Sequence, residues 1–249
     1  MVIDTHCHVL KEEYDNIEEI IEEMKDHLMI VSGCDATSNQ EVVELVKKYP
    51  NVYGTIGIHP SEIDTVSKVD LDFIENHIND SKIVGIGEIG LDYHFDKSKI
   101  DEQKTLFEYQ LSLAEKYHKP VVIHSRDAIE DTYNILKPHK IKSVIHCFSS
   151  SYEMAKKFVE LGSKLGIGGV VTFKNSSKLK EVVEKIDLEH FLLETDSPYL
   201  APEPYRGQKN KPIYTLLVAE KIAEIKEIPV EKVINTTTNT AINQFDLNI

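Results

Sequence analysis

The sequence predicts an α/β chain folded as a (β/α)8 TIM barrel with an extra C-terminal helix. Three observations predict it. Short β-rich runs recur eight times, roughly 27 residues apart on average, which is the length of a strand, a crossover and a helix. Helical periodicity fills the intervals between them. Metal-ligating residue types interrupt the apolar runs near their C-terminal ends, the rim on which barrel enzymes build their sites.

The predicted strands are 2–9 (VIDTHCHV), 28–35 (LMIVSGCD), 52–59 (VYGTIGIH) and 83–92 (IVGIGEIGLD), then 120–126 (PVVIHSR), 143–149 (SVIHCFS), 165–173 (LGIGGVVTF) and 190–197 (HFLLETDS). The predicted helices are 15–27, 40–49, 70–79, 101–118, 127–137, 152–162, 176–187 and 212–227, with a ninth near 230–245. In 101–118, Leu106, Tyr109, Gln110, Leu113 and Tyr117 recur three or four apart and give one mostly apolar face. Lys119-Pro120 then stops that helix and opens the next strand.

Strands alternating with helices imply a parallel sheet, and eight such units favour a closed barrel over an open doubly wound sheet. No G-x-G-x-x-G follows the first strand, which removes the usual dinucleotide fingerprint. Gly166, Gly168 and Gly169 fall in one strand run and are expected to serve close packing or a bend. The whole chain, 1–249, reads as one domain.

Composition limits the function classes. Lys plus Arg number 28 against 42 Asp plus Glu, a formal charge of −14. A protein that coats nucleic acid through its own basic surface is not expected from that balance, whereas a nuclease whose bound cations supply local positive charge is compatible with it. Cys7, Cys34 and Cys147 lie in apolar runs and are expected as reduced, buried thiols. With no signal-peptide pattern and no apolar run long enough for a bilayer, a cytoplasmic location and no membrane contact are expected. No obligate protein partner is evident.

Seven polar residues mark the strand ends: His6 and His8 on the first run, His59 on the third and Glu88 on the fourth, then His124, His146 and Asp196 on the fifth, sixth and eighth. Strand parity points His6 and His8 together into the barrel mouth and turns Cys7 away, and it sends Cys147 away beside His146. Four imidazoles and two carboxylates at one rim are costly unless they share cations. One divalent ion does not need six such ligands, but two ions bridged by a carboxylate use them all. The first ion is assigned to His6, His8, Glu88 and Asp196, the second to Glu88, His124 and His146. Glu88 bridges, the ions are expected about 3.5–4 Å apart around a shared water of lowered pKa, and Asp196 takes that water's proton. Mixed imidazole and carboxylate ligation suits Zn²⁺ or Mn²⁺, with Mg²⁺ compatible with phosphoryl chemistry.

Other histidines, His27, His77, His118, His139 and His190, fall away from those ends and are expected to be solvated or capping. His59 is not needed as a ligand and is expected to contact a phosphate oxygen. Asp92 and Tyr93 are expected to brace the metal ligands.

Arginine gives a separate clue. Only Arg126 and Arg206 occur, two residues after His124 and in the loop after Asp196. Both therefore flank the expected site, and a guanidinium fork suits phosphate in a way lysine does not. Arg126 serves either as that contact or as a brace. Pro198, Pro202 and Pro204 stiffen the same loop into a wall of the cleft, on which Tyr199 and Tyr205 either stack on a base or sugar or simply pack.

These residues resemble the TatD family of metal-dependent deoxyribonucleases, within the amidohydrolase superfamily. The matching segments are DTHCH (4–8), GIHP (57–60), GEIGLDYH (87–94), KPVVIHSRDA (119–128), HCFS (146–149) and LLETDSPYLAPEPYRG (192–207), with a weaker match at 236–239. Ser150 stands where the family often has glycine, and Lys209 where a second arginine is common. The resemblance implies a two-metal TIM barrel that hydrolyses DNA phosphodiesters, as a 3′→5′ exonuclease with DNA strand ends as substrate. The alternative it leaves open is another ester or amide hydrolysis on the same scaffold, such as D-aminoacyl-tRNA deacylation. A barrel that binds metal without turnover is the non-enzymatic reading.

Overall fold

Each of the eight runs forms a strand. The computed structural model describes residues 1–94 and 97–249. The strands are β1 (Ile3–Cys7), β2 (Leu28–Ser32), β3 (Val52–Ile56), β4 (Ile83–Asp92), β5 (Val121–Arg126), β6 (Ser143–Ile145), β7 (Lys164–Ile167) and β8 (Phe191–Leu193). They lie side by side in sequence order, and every neighbouring pair is parallel. The circle closes just beyond β8. Asp196 N donates to His6 O at 3.0 Å and His8 N donates to Ser197 O at 2.7 Å, around a parallel bridge between Cys7 and Ser197.

The helices are α1 (Ile17–Glu23), α2 (Ala36–Lys48), α3 (Lys68–His77), α4 (Ile100–Tyr117), α5 (Ile129–Leu136), α6 (Tyr152–Glu160), α7 (Ser177–Lys185), α8 (Thr215–Lys226) and α9 (Val230–Phe245). Local chemistry sets their ends. Asn16, Asp35 and Ser151 each accept a backbone N–H of the first turn, satisfying donors that have no partner inside the helix. α4 ends on His118 at φ 54°, so that histidine is a left-handed cap, as expected of a capping residue. No helix among the described residues is long and apolar enough to cross a membrane.

Two apolar clusters hold the layers together. The larger one lies between strands and helices. It includes Cys7, Ile56, Ile86, Leu91 and Ile123 with Val42, Phe107, Phe158 and Ile222. The smaller one gathers Ile3, Ile30, Tyr53, Val84, Val122, Val144 and Leu192 from the starts of the strands, together with Ala241, Phe245 and Leu247. The extra C-terminal helix therefore plugs the end of the barrel opposite the expected site. Burial of Phe245 there stabilises by roughly 1.5–3 kcal/mol on transfer grounds.

Several boundaries differ from the sequence expectation. The run 165–173 is strand only over Lys164–Ile167; a 3-10 turn, Gly169–Thr172, follows. A Cβ on Gly169 would lie 2.3 Å from Leu200 O, so close packing of the next loop bends the chain there. The run 190–197 is strand only over Phe191–Leu193, and Asp196 lies beyond it at φ 54°. Cys147 also has a positive φ, 46°, so strand parity does not govern where its thiol points.

Candidate metal centre

The seven polar strand-end residues converge at one mouth. His6, Glu88 and His124 lie within β1, β4 and β5 rather than at their ends, since β4 runs on to Asp92 and β5 to Arg126, while His8, His59, His146 and Asp196 sit in the loops just after β1, β3, β6 and β8. Glu88 is at the centre, with only 5% of its side chain exposed. Its two oxygens face two different sets. Oε2 lies 3.4 Å from His6 Nε2 and 3.5 Å from His8 Nε2. Oε1 lies 2.8 Å from His124 Nδ1, 2.9 Å from His146 Nε2 and 3.8 Å from His59 Nε2. Asp196 Oδ1 approaches the first set, at 3.7 Å from His6 Nε2 and 3.5 Å from His8 Nε2.

The outward nitrogens show which proton each ring carries. His8 Nδ1 donates to Ser32 O at 3.0 Å, since a carbonyl only accepts. His124 Nε2 donates to Asp92 Oδ2 at 3.0 Å, the bracing contact expected of Asp92. In the neutral rings, His8 Nε2 and His124 Nδ1 are then bare lone pairs turned toward carboxylate oxygens. Such an arrangement is repulsive unless a proton or a metal cation lies between, and imidazoles that turn bare nitrogens toward shared carboxylates are a donor set that fits divalent cations. His59 is the opposite case. Its Nδ1 accepts from Ser61 N at 3.1 Å, so its proton sits on the inward Nε2. Burial pushes the His59 imidazole down to about 4. His59 thus presents a donor rather than a ligand lone pair, although its nitrogen lies within ligand range of Glu88 and His124.

Charge follows the same geometry. Burial opposes ionisation of Glu88, but the charges of His146 and His6 and hydrogen bonds from His124 and His146 hold its carboxyl well below the usual range. Burial likewise opposes ionisation of Asp196, and the His8 hydrogen bond with the nearby imidazole charges outweighs it. Burial, assisted by His146, lowers the His6 pKa, and the nearby Glu88 carboxylate works against it.

The rim residues fall into place unequally. Tyr199 is 50% exposed, its ring 6.2 Å from that of His8, and its hydroxyl donates to Glu13 at 2.6 Å. Tyr205 instead packs on Tyr214 with ring centroids 4.5 Å apart. Arg206 is exposed and its guanidinium stacks 4.3 Å over Phe173. Arg126 is the exposed last residue of β5, and its carbonyl accepts from Tyr93 N at 3.0 Å. Tyr93 braces the neighbouring layer through a 2.9 Å bond to Asp131. Of the histidines expected to be solvated, His27 accepts from Val2 N at 3.1 Å and His77 pairs with Asp80 at 2.9 Å.

Three further residues at the centre were not among the sequence candidates. Glu194 is fully buried; its Oε1 accepts from Cys147 N at 2.5 Å and lies 3.6 Å from His146 Nδ1. Its place two residues before Asp196, as a carboxylate in an apolar run, was the available signal. Ser32 gave none, because a strand serine is ambiguous. Cys34 and Cys147 correct the expectation of buried thiols, since both are only partly buried, and Cys34 Sγ lies 3.7 Å from Glu88 Oε2. Burial raises that thiol to about 11.

Comparison with known proteins decides the family. The family model described as TatD related DNase matches residues 3–246. The chain belongs to the TatD family. The metal-dependent hydrolase YabD of Bacillus subtilis is 41% identical over 255 residues, covering 100% of both chains. The metal-dependent hydrolase YcfH of Escherichia coli is 31% identical, with 99% of this chain and 96% of that one aligned. The crystal structure of the TatD homologue YjjV from Escherichia coli superposes with a TM-score of 0.91 at 30% identity, covering 99% of this chain and 98% of that one. As a TatD-family chain this is a metal-dependent hydrolase, and the histidine and carboxylate groups at the barrel mouth are its candidate metal-binding groups.

Proposed function

We propose that this TatD-family chain is a deoxyribonuclease, hydrolysing DNA phosphodiesters from 3′ strand ends with two divalent cations. The observation that carries the two-ion reading is the division of labour at Glu88, whose Oε2 faces His6 and His8 while Oε1 faces His124 and His146. His6, His8, Glu88 and Asp196 hold one cation, and Glu88, His124 and His146 the other. Zn²⁺, Mn²⁺ and Mg²⁺ are the candidates. Cations held there supply Lewis acidity at the phosphoryl group and lower the pKa of water.

The chain's own residues do the rest. Asp196, ionised and at the mouth, accepts the proton of the attacking water. His59 donates its Nε2–H to a non-bridging phosphate oxygen, as its tautomer requires. Arg206, its guanidinium over the Phe173 ring, offers its fork to a phosphate, with Arg126 at the C-terminal end of β5 and Tyr199 at the rim. The negative net charge limits non-specific binding along duplexes, so contact is confined to ends that enter the cleft.

The test is hydrolysis of end-labelled single-stranded DNA by protein stripped of metal and then resupplied with each ion. Simple esters and aminoacyl-tRNA are run alongside. Shortening of the DNA from its 3′ end, restored by a divalent ion, supports the reading. Ester or aminoacyl-tRNA cleavage with intact DNA overturns it in favour of carbonyl chemistry.

A further inference from the structure

Beneath His6 and His8 lie two fully buried hydroxyls with no role in the reading above. Ser32 on β2 and Thr55 on β3 are register partners, and their hydroxyl oxygens are 2.8 Å apart. Ser32 Oγ is 3.0 Å from His6 Nδ1. Ser32 O takes the proton of His8 Nδ1, so one residue touches the outward nitrogen of both histidines. The inward nitrogens, His6 Nε2 and His8 Nε2, are 3.2 Å apart.

Two hydroxyls in a row have two consistent directions. In one, His6 Nδ1 donates to Ser32 Oγ and the Ser32 hydroxyl donates to Thr55 Oγ1. His6 Nε2 is then bare and able to ligate. In the other, Thr55 donates to Ser32 and Ser32 donates to His6 Nδ1. The ring proton then sits on Nε2, where the bare His8 Nε2 accepts it. His8 has no such freedom, because its partner is a carbonyl.

We propose that the Ser32–Thr55 hydroxyl pair sets which nitrogen of His6 carries the proton, and so whether His6 can hold a cation. The inference rests on the reading of His6 as a ligand. Passing from one direction to the other, each hydroxyl turns about its C–O bond. One proton leaves Nε2 for solvent and one from solvent reaches Nδ1, so the ring's net proton count is unchanged. The ligand direction needs Thr55 as the acceptor at the end of the row. Ser32 and Thr55 are therefore positioning residues that act through His6.

The test is cation affinity and imidazole tautomer in Thr55→Val, which keeps the shape and removes the hydroxyl. Without Thr55 as acceptor, the Ser32 hydroxyl turns to His6 Nδ1 and fixes the Nε2–H form. Competition with a chromophoric chelator for Zn²⁺ is expected to show one of the two cations bound about 10–100-fold more weakly, the usual effect of losing a bond that orients a ligand. Nitrogen–proton correlation spectra of the metal-free variant are expected to place the His6 proton on Nε2. Thr55→Ser restores the wild-type affinity. Wild-type affinity in Thr55→Val, a proton on Nδ1 there, or equal weakening in Thr55→Ser overturns the relay. His6→Ala separates the two ideas. Unchanged affinity in His6→Ala removes His6 as a ligand, whereas its loss alongside an unaffected Thr55→Val removes the relay alone.

Discussion

Asp92 and His124 are joined by a 3.0 Å hydrogen bond that leaves the other nitrogen of the ring, Nδ1, 2.8 Å from Glu88. The bond fixes both the rotation of the imidazole and its tautomer. Asp92→Ala is expected to weaken the cation at His124 by about 10–100-fold. Asp92→Asn keeps an acceptor oxygen and loses less. Chelator competition measures both, and equal affinities in wild type and Asp92→Ala would remove Asp92 from the centre.

Glu194 is expected to be the counterpart for His146. Gly166 is glycine because a Cβ there would sit 2.0 Å from Glu194 Oε2. Gly166→Ala therefore has to displace a buried carboxylate. The expected result is a loss of about 1–3 kcal/mol in stability, from overpacking, together with reduced metal content. Thermal unfolding and metal analysis check the two effects; a variant as stable and as metal-loaded as wild type contradicts the cradle.

Arg206 is expected to act on substrate affinity rather than on chemistry. Arg206→Ala should raise KM for an oligonucleotide by roughly tenfold with kcat little changed, the scale of one charge-assisted contact. Arg206→Lys recovers only part, since lysine offers a point charge and no flat face for Phe173. Hydrolysis of a small diester that does not reach the rim should be unaffected by either. Unaltered oligonucleotide KM in both variants would place Arg206 outside the substrate path.

Asp131 supplies a pH dependence away from the centre. Its hydrogen bond from Lys104, followed by that from Tyr93, lowers its pKa. A carboxyl that is more acidic in the folded chain than in the unfolded one stabilises above the unfolded value, about 3.9, and that contribution disappears as pH falls through the folded value. Urea unfolding between pH 6 and pH 3 is expected to show a steeper loss in wild type than in Asp131→Asn. Parallel curves contradict the assignment.

The sequence made the strand count and the ligand set legible because both are written in residue type. Apolar runs of fixed spacing announce the barrel, and His6, Glu88 or His124 interrupting such a run has few structural uses. Where a strand stops was less legible. Residues 168–173 stay mostly apolar because Val170 and Val171 pack into the main core while Gly169 lies against Leu200 and Pro202, so hydropathy continues after the backbone has turned at Gly169. Parity gave the shared direction of His6 and His8, but it does not extend to Cys147, whose left-handed backbone lies past the end of β6. Ser32 and Cys34 were invisible for another reason. Their importance comes from neighbours brought in by other strands, His6, His8 and Glu88, and nothing in their own segment records it.

Divalent-metal content per chain, measured by mass spectrometry on wild type and Glu88→Gln after loading with Zn²⁺ or Mn²⁺ and removal of excess, tests the shared centre most directly. Two ions in wild type and a loss of at least one in Glu88→Gln are expected. One ion in wild type, or two retained in Glu88→Gln, would contradict a pair of cations bridged by that carboxylate.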